Sequence, residues 1–196
     1  MAEPMTDTNA SDPVPSRARR LVLVACVAAV SLALDLWTKA WAWDTLRGQP
    51  PIRVVERVFH LEFAFNTGSA FGMLRDYGWA RGFFIVVTGI AVVYMARLAL
   101  TLPRRHPSVF VAIGLILGGA LGNLHDRIVR SMDVFGEGLR HGVVDFIVVF
   151  YWPGRRWPAF NVADAVLVVG VAVFMIYLHR HGERLDSASP TSANGS

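Results

Sequence analysis

Four long apolar runs constrain this 196-residue chain more than any other feature. They predict membrane spans at Leu21–Trp43, Gly82–Leu102, Val109–Leu124 and Val162–Leu178. The first run, about 23 residues, would form a helix of roughly 34 Å, enough to cross a hydrocarbon core of about 30 Å. Charged residues make up only 17% of the chain and hydrophobic residues 54%. This composition excludes a disordered or collagen-like chain and a nucleic-acid-binding tail, and it disfavours a soluble enzyme.

The arginines gather beside the apolar runs, which is typical of membrane flanks. The N-terminal flank, the short connection 103–107 and the C-terminal flank are basic, so we expect all three in the cytoplasm. Polar composition predicts disordered tails at 1–20 and 182–196, around a four-span domain at 21–181. Residues 52–65 partly alternate apolar and polar side chains, which predicts one or two β-strands outside the bilayer.

Two acids in apolar surroundings point to chemistry. Asp145 follows Val143 and Val144 in a β-branched and aromatic run, where an unpaired acid is costly. Asp164 opens the fourth span, where an acid could also simply favour a helix N-terminus. If the two carboxyl groups approach each other they share one proton, and one serves as general base while the other serves as general acid. That chemistry suits peptide hydrolysis by an activated water molecule.

Other polar residues lie near the same predicted membrane face. Asp35 and Lys39 are four residues apart, which suits an ion pair on one helix face. Asn66 begins a glycine-containing turn, and Asn123 and Arg127 follow a run of glycines at Gly114, Gly118 and Gly122 that predicts close helix packing. An Asn and an Arg at a membrane mouth could hold a carbonyl or position a carboxylate.

Five sequence blocks resemble, in order, those of the lipoprotein signal peptidase (signal peptidase II) family. They are Asp35–Lys39, Asn66–Gly72, Gly118–Arg127, Val143–Phe146 and Phe160–Asp164, and the resemblance covers about residues 21–178. The stretch 128–142 looks longer than is usual in that family, and we expect it to lengthen a loop over the site.

The resemblance implies a mainly α-helical membrane protein with four transmembrane helices, a small β-cradle and a short surface helix on the outer face. It makes Asp145 and Asp164 the catalytic aspartates. It also implies binding or supporting roles for Asp35, Lys39, Asn66, Gly122, Asn123, Arg127, Asn161 and Ala163.

The function implied is that of an intramembrane aspartyl endopeptidase of the bacterial cytoplasmic membrane. The substrates would be prolipoproteins carrying diacylglyceryl on a cysteine, cut just before that cysteine. The enzyme would work as a monomer among membrane lipids, with its active site near the outer face. We expect no nucleic-acid partner, no organic cofactor and no metal, and the six histidines form no H-E-x-x-H pair.

Three other functions fit some of the residues. A transporter or proton channel could use Asp35, Asp145 and Asp164 as a relay. A Ser–Lys peptidase could use Lys39 as the base for Ser69. A structural assembly subunit could use the glycine face.

Overall fold

The computed structural model describes residues 16–68, 79–102, 106–136 and 138–186. Along the chain the elements are α1 (Arg17–Thr45), β1 (Ile52–Val55), β2 (Phe59–Asn66), α2 (Ala80–Thr101), α3 (Pro107–Val129), β3 (Ser131–Val134), β4 (Gly138–His141), β5 (Val143–Trp152), β6 (Arg155–Arg156) and α4 (Val162–Asp186).

All four helices are long and apolar enough to cross a membrane, which confirms the four predicted spans. Helix α1 begins at Arg17 because the hydroxyl of Ser16 accepts the Arg19 N–H at 3.3 Å and caps the first turn. Helix α4 continues to Asp186. Helical structure therefore reaches into both predicted tails, since charged residues such as Arg and Glu are good helix formers. Residues 1–15 and 187–196 lie outside the described part of the chain.

Helix α3 is the centre of the bundle. Helices α1, α2 and α4 all pack against it. In the most apolar stretch of α3, 61% of the residues are buried inside the protein. The corresponding share is 17% or less in the other three helices. The outer surfaces of α1, α2 and α4 are left apolar and exposed, as membrane-facing helices require.

A glycine stripe on α3 explains why α1 can lie so close to it. A Cβ added to Gly118 would lie 2.6 Å from the Ser31 Cβ and 2.8 Å from the Ala28 carbonyl oxygen. Gly114 meets Val27 in the same way, and Gly122 meets Asp35. The predicted close packing at these glycines is confirmed.

A small antiparallel sheet with strand order β1-β2-β5-β6 covers one end of the bundle. We call this the site end: α1 and α3 finish there, and α4 begins there. Trp43, near the end of α1, packs edge-on against Phe63 and Phe65 of β2. The predicted strands in 52–65 are confirmed as β1 and β2. The described elements include no short surface helix, and residues 69–78 lie outside them.

The longer stretch 128–142 forms a hairpin rather than an irregular loop. Strands β3 and β4 pair from Ser131↔His141 to Val134↔Gly138, separate from the main sheet. Gly136 and Gly138 have positive φ angles of 80° and 71°, which a tight turn requires and glycine permits. Phe135 at its tip is fully exposed.

Gly118→Ala is expected to lower the free energy of unfolding by about 1–3 kcal/mol, because the new methyl group forces α1 and α3 apart. Gly89→Ala on α2 is the matched control, since a Cβ there meets nothing within 4 Å. The measurement is reversible unfolding in detergent. Equal stability of the two variants would contradict close α1–α3 packing.

Candidate active site

The two candidate aspartates come from different elements and meet around one asparagine. Asp145 lies near the start of β5, and Asp164 lies in the first turn of α4. The Asn161 side-chain amide donates to Asp145 Oδ1 at 2.6 Å, and the Asn161 backbone N–H donates to Asp164 Oδ2 at 3.2 Å. A single residue therefore bridges the two carboxyl groups.

The start of α4 explains how Asp164 is held. The Asp164 backbone N–H donates to Asn161 Oδ1 at 3.0 Å, while the Asp164 carboxyl accepts the Asn161 N–H. This reciprocal pair is a capping box three residues apart, which satisfies two otherwise unpaired N–H groups at the helix start. The sequence offered helix capping and catalysis as alternatives for Asp164, and the geometry is compatible with both.

Three asparagines direct their side-chain NH₂ groups at the aspartates. In each case the amide oxygen accepts a hydrogen bond from another group, and this bond fixes which way the amide faces. Asn66 Oδ1 accepts the Gly68 N–H at 2.9 Å, so its NH₂ faces Asp145 Oδ2 at 3.0 Å. Asn123 Oδ1 accepts from Lys39 Nζ at 2.9 Å, so its NH₂ faces Asp164 Oδ1 at 2.8 Å.

Asn161 follows the same rule, with the Asp164 N–H on its Oδ1 and its NH₂ turned towards Asp145. Each carboxyl group consequently receives a defined donor at both oxygens. This arrangement holds the two groups in one geometry.

The environment of Asp145 favours its protonated form. Burial, and after it the negative charge of Asp164, raises the pKa of the Asp145 carboxyl to about 7. Hydrogen bonds from Asn66 and Asn161 and the charge of Lys39 act in the opposite direction without cancelling the shift. Asp145 can therefore hold a proton near neutral pH.

A buried ion cluster lies behind the aspartates. Lys39 Nζ is 2.7 Å from Asp35 Oδ2 and 3.7 Å from Asp126 Oδ2, and all three side chains are fully buried. Arg130 Nε adds a second cation at 3.2 Å from Asp126 Oδ1. Two acids and two bases thus balance, which is the condition for burying charge at tolerable energy.

Each acid of this cluster holds the residue that precedes a candidate aspartate. Asp35 Oδ1 accepts the N–H of Ala163 at 2.8 Å, next to Asp164. Asp126 Oδ2 accepts the N–H of Val144 at 3.1 Å, next to Asp145. Lys39, between the two acids, therefore links the positions of both aspartates.

This geometry explains several of the residues named from the sequence. Ala163 contributes its backbone N–H, and Gly122 is required because a Cβ there would collide with the Asp35 carboxylate. The predicted Asp35–Lys39 ion pair is present. Since the Lys39 ammonium is already engaged, it is poorly suited to serve as the base for Ser69, which lies outside the described residues.

Asp126 was missed as a site residue. The sequence did contain a signal for it: Asp126 comes four residues after Gly122 and therefore lies on the same face of α3, the face that meets α1. Within the described ranges, no three His, Cys, Asp or Glu side chains gather in a way that could hold a metal ion.

An apolar cavity of about 500 Å³ opens between α2, α3 and α4, and its polar end lies beside Asn123 and Arg127. The Arg127 guanidinium lies over the Phe84 ring at 4.9 Å and donates to the Asn123 carbonyl oxygen at 3.3 Å. The remaining wall is aliphatic and aromatic, with Val87, Met95, Ile116, Leu167, Val171 and Phe174 among its residues. The cavity therefore combines room for apolar chains with a cation at one end.

The four-helix bundle and the sheet at its site end define a mainly α-helical membrane protein. Two solved structures described as bacterial membrane enzymes share the fold. One has a TM-score of 0.63 at 24% identity and covers 91% of this chain and 95% of its own. The other has a TM-score of 0.61 at 26% identity, and the match covers 82% of this chain and 92% of that structure's chain.

Sequence comparison identifies the family. A family model described as signal peptidase (SPase) II matches residues 27–180. A lipoprotein signal peptidase of Symbiobacterium thermophilum is 36% identical over 78% of this chain and 91% of its own. The lipoprotein signal peptidase of Pseudomonas putida is 40% identical over 74% of this chain and 80% of its own. The lipoprotein signal peptidase of Mycolicibacterium smegmatis is 38% identical over 95% of this chain and 73% of its own.

The chain belongs to the signal peptidase II family, as the five sequence blocks indicated. It is a protease of the bacterial inner membrane. The transporter and structural-subunit alternatives are set aside, because the family is one of peptidases.

Lys39→Met is expected to lower the free energy of unfolding by about 3–5 kcal/mol, because it leaves Asp35 buried without its cation. Asp35→Asn combined with Lys39→Met should recover part of that loss, since the double variant removes both charges. Arg53→Gln is the control: its pair with Glu56 is exposed, and such pairs contribute about 0–1 kcal/mol. Chemical unfolding in detergent measures all three. A Lys39→Met loss no larger than that of Arg53→Gln would contradict the described ion cluster.

Proposed function

We propose that this protein is an aspartyl endopeptidase that removes the signal peptide from diacylglyceryl-modified prolipoproteins, cutting just before the lipidated cysteine. The observation that carries the proposal is the pairing of Asp145 and Asp164 around Asn161. The apolar cavity ending at Asn123 and Arg127 supports a lipid-bearing substrate, because its walls suit acyl chains.

The raised pKa of Asp145 supports its assignment as the acid of the pair. Asp164 then takes a proton from water as the water oxygen attacks the scissile carbonyl carbon, and Asp145 gives its proton to the carbonyl oxygen. When the tetrahedral intermediate collapses, the proton on that oxygen returns to Asp145. The proton held by Asp164 passes to the leaving amine, so both carboxyl groups end as they began.

The neighbouring side chains support binding and orientation. Asn66 donates to Asp145 and is the last residue of β2, at the site end of the sheet. Arg127, at the mouth of the cavity, suits the ester oxygens of a diacylglyceryl group. Four further residues act indirectly, because they hold the two aspartates in position. They are Asp35, Lys39, Gly122 and Ala163.

The same proposal covers the setting of the enzyme. Both termini lie in the cytoplasm, and the site end of the bundle faces the outer surface, as the distribution of arginines favours. The enzyme works as a monomer in the membrane, with a catalytic unit at about residues 21–181 between two tails.

Asp145→Asn and Asp164→Asn are each expected to lower the cleavage rate by about 10²-fold or more, because each removes one proton-transfer group. The assay follows cleavage of a lipidated prolipoprotein in detergent, with an unlipidated copy that should remain uncut. Asp133→Asn is the matched control, an exposed aspartate on β3 that should keep the wild-type rate. Near-normal cleavage by either of the first two variants, once shown to be folded, would overturn the aspartyl mechanism.

The cleavage rate is expected to fall as pH rises above about 7, because Asp145 then loses the proton it donates. Asn66→Ala removes a hydrogen bond that lowers the Asp145 pKa, so it should move this alkaline limb to higher pH. The measurement is kcat against pH for wild type, Asn66→Ala and the Asp133→Asn control. A wild-type profile that stays level to pH 9 would contradict Asp145 as the proton donor.

A further inference from the structure

A second cavity lies at the far end of the sheet, away from the aspartates. It has a volume of about 710 Å³ and is formed by the β1–β2 and β5–β6 turns. Phe59 pairs with Val149 at this end, and Asn66 pairs with Val143 at the other. Seven residues of strand separate the two ends, or roughly 23 Å. The cavity shares no lining residue with the apolar cavity beside Asn123.

The lining of this cavity is basic. Arg53, Arg57 and His60 face a single acid, Glu56. The pair between Arg53 and Glu56 is long, at 3.7 Å, and both side chains are largely exposed, at 67% and 77%. Such a pair holds its charges weakly, so Arg53 remains available to an anion.

Arg57 occupies a backbone position that favours glycine. Its φ is +63°, and it is the one non-glycine residue with positive φ in the described ranges. Holding a side chain other than glycine in this region strains the backbone. A glycine would make the same turn without strain, so the arginine contributes something other than turn geometry, namely a cation at the cavity.

His60 adds a polar group that lacks a partner. Its ring lies against Phe150 with the centroids 4.7 Å apart. Its Nε2 atom is buried and makes no hydrogen bond within the described part of the chain. Leaving such an atom unsatisfied is unfavourable, and when Nε2 carries the proton an oxygen of a bound molecule would accept from it.

Exposed aromatic side chains line the cavity. Tyr151 and Trp152 are 60% and 67% exposed. Tyr and Trp are the residues that lie at headgroup level in membrane proteins. The sheet that carries them packs on the end of a membrane-spanning helix through Trp43 and Phe63.

We propose that the far-end cavity binds the phosphate of an anionic phospholipid headgroup, with Arg53 and Arg57 contacting the phosphate and Tyr151 and Trp152 lying in the headgroup layer. The arginines supply charge complementarity, and the aromatic residues supply the apolar wall that a free anion would not need. This lipid would hold the sheet to the membrane surface. The proposal does not depend on the roles assigned to Asp145 and Asp164.

The test is calorimetric titration of the full chain in a neutral detergent with dioctanoyl phosphatidylglycerol. Because the probe also carries a diacylglyceryl group that suits the apolar cavity beside Arg127, the quantity followed is the saturable component of binding that added salt weakens, as for any partly exposed charge contact. Arg57→Gly should weaken binding about tenfold, because it removes a charged hydrogen-bond donor. This variant relieves the positive-φ strain, so it should fold at least as well as wild type.

Arg53→Gln is a second variant with the same expected direction, and Arg97→Gln is the control, an exposed arginine on α2 outside this cavity. Unchanged affinity in both Arg57→Gly and Arg53→Gln would overturn the proposal. Inorganic phosphate that binds as tightly as the lipid would also overturn it, since the site would then serve a soluble anion. Equal affinity for dioctanoyl phosphatidylcholine would do the same, because net charge would then play no part.

Discussion

The position of both candidate catalytic groups depends on one buried ammonium. Lys39 lies between Asp35 and Asp126, and each of these acids accepts the backbone N–H of the residue before an aspartate. The same ammonium orients the Asn123 amide that donates to Asp164. Charges buried among membrane helices are tolerable only when they are paired, so the pairing that keeps the cluster stable also sets the distance between β5 and α4.

The ion cluster depends on the glycine stripe of α3. Gly114 and Gly118 bring α1 against α3 by backbone approach, and Gly122 leaves the space that the Asp35 carboxylate occupies. A larger residue at any of these positions would move Lys39 away from its partners. Close helix packing, usually a matter of stability alone in membrane proteins, here also determines the geometry of the site.

The two aspartates do not have equivalent surroundings, although each accepts two N–H donors. Asp145 enters from the buried first part of β5, a strand of the sheet, where desolvation favours its neutral form. Asp164 enters from the first turn of α4, where its carboxyl group accepts the Asn161 backbone N–H and the Asn123 side-chain amide. Two identical side chains therefore lie in different environments, one near the start of a strand and one in the first turn of a helix.

The sequence by itself determined the four spans, the strands in 52–65 and the family, because apolar run length, alternation and ordered motifs are local properties. It also marked Asp145 and Asp164, because an acid in an apolar run is conspicuous. Only the tertiary structure decided that Asn161 bridges them, that Asp126 belongs to the ion cluster and that 128–142 is a hairpin. These depend on contacts between residues as many as 128 positions apart, such as Asp35 with Ala163, and no local pattern encodes which distant donor meets which acceptor.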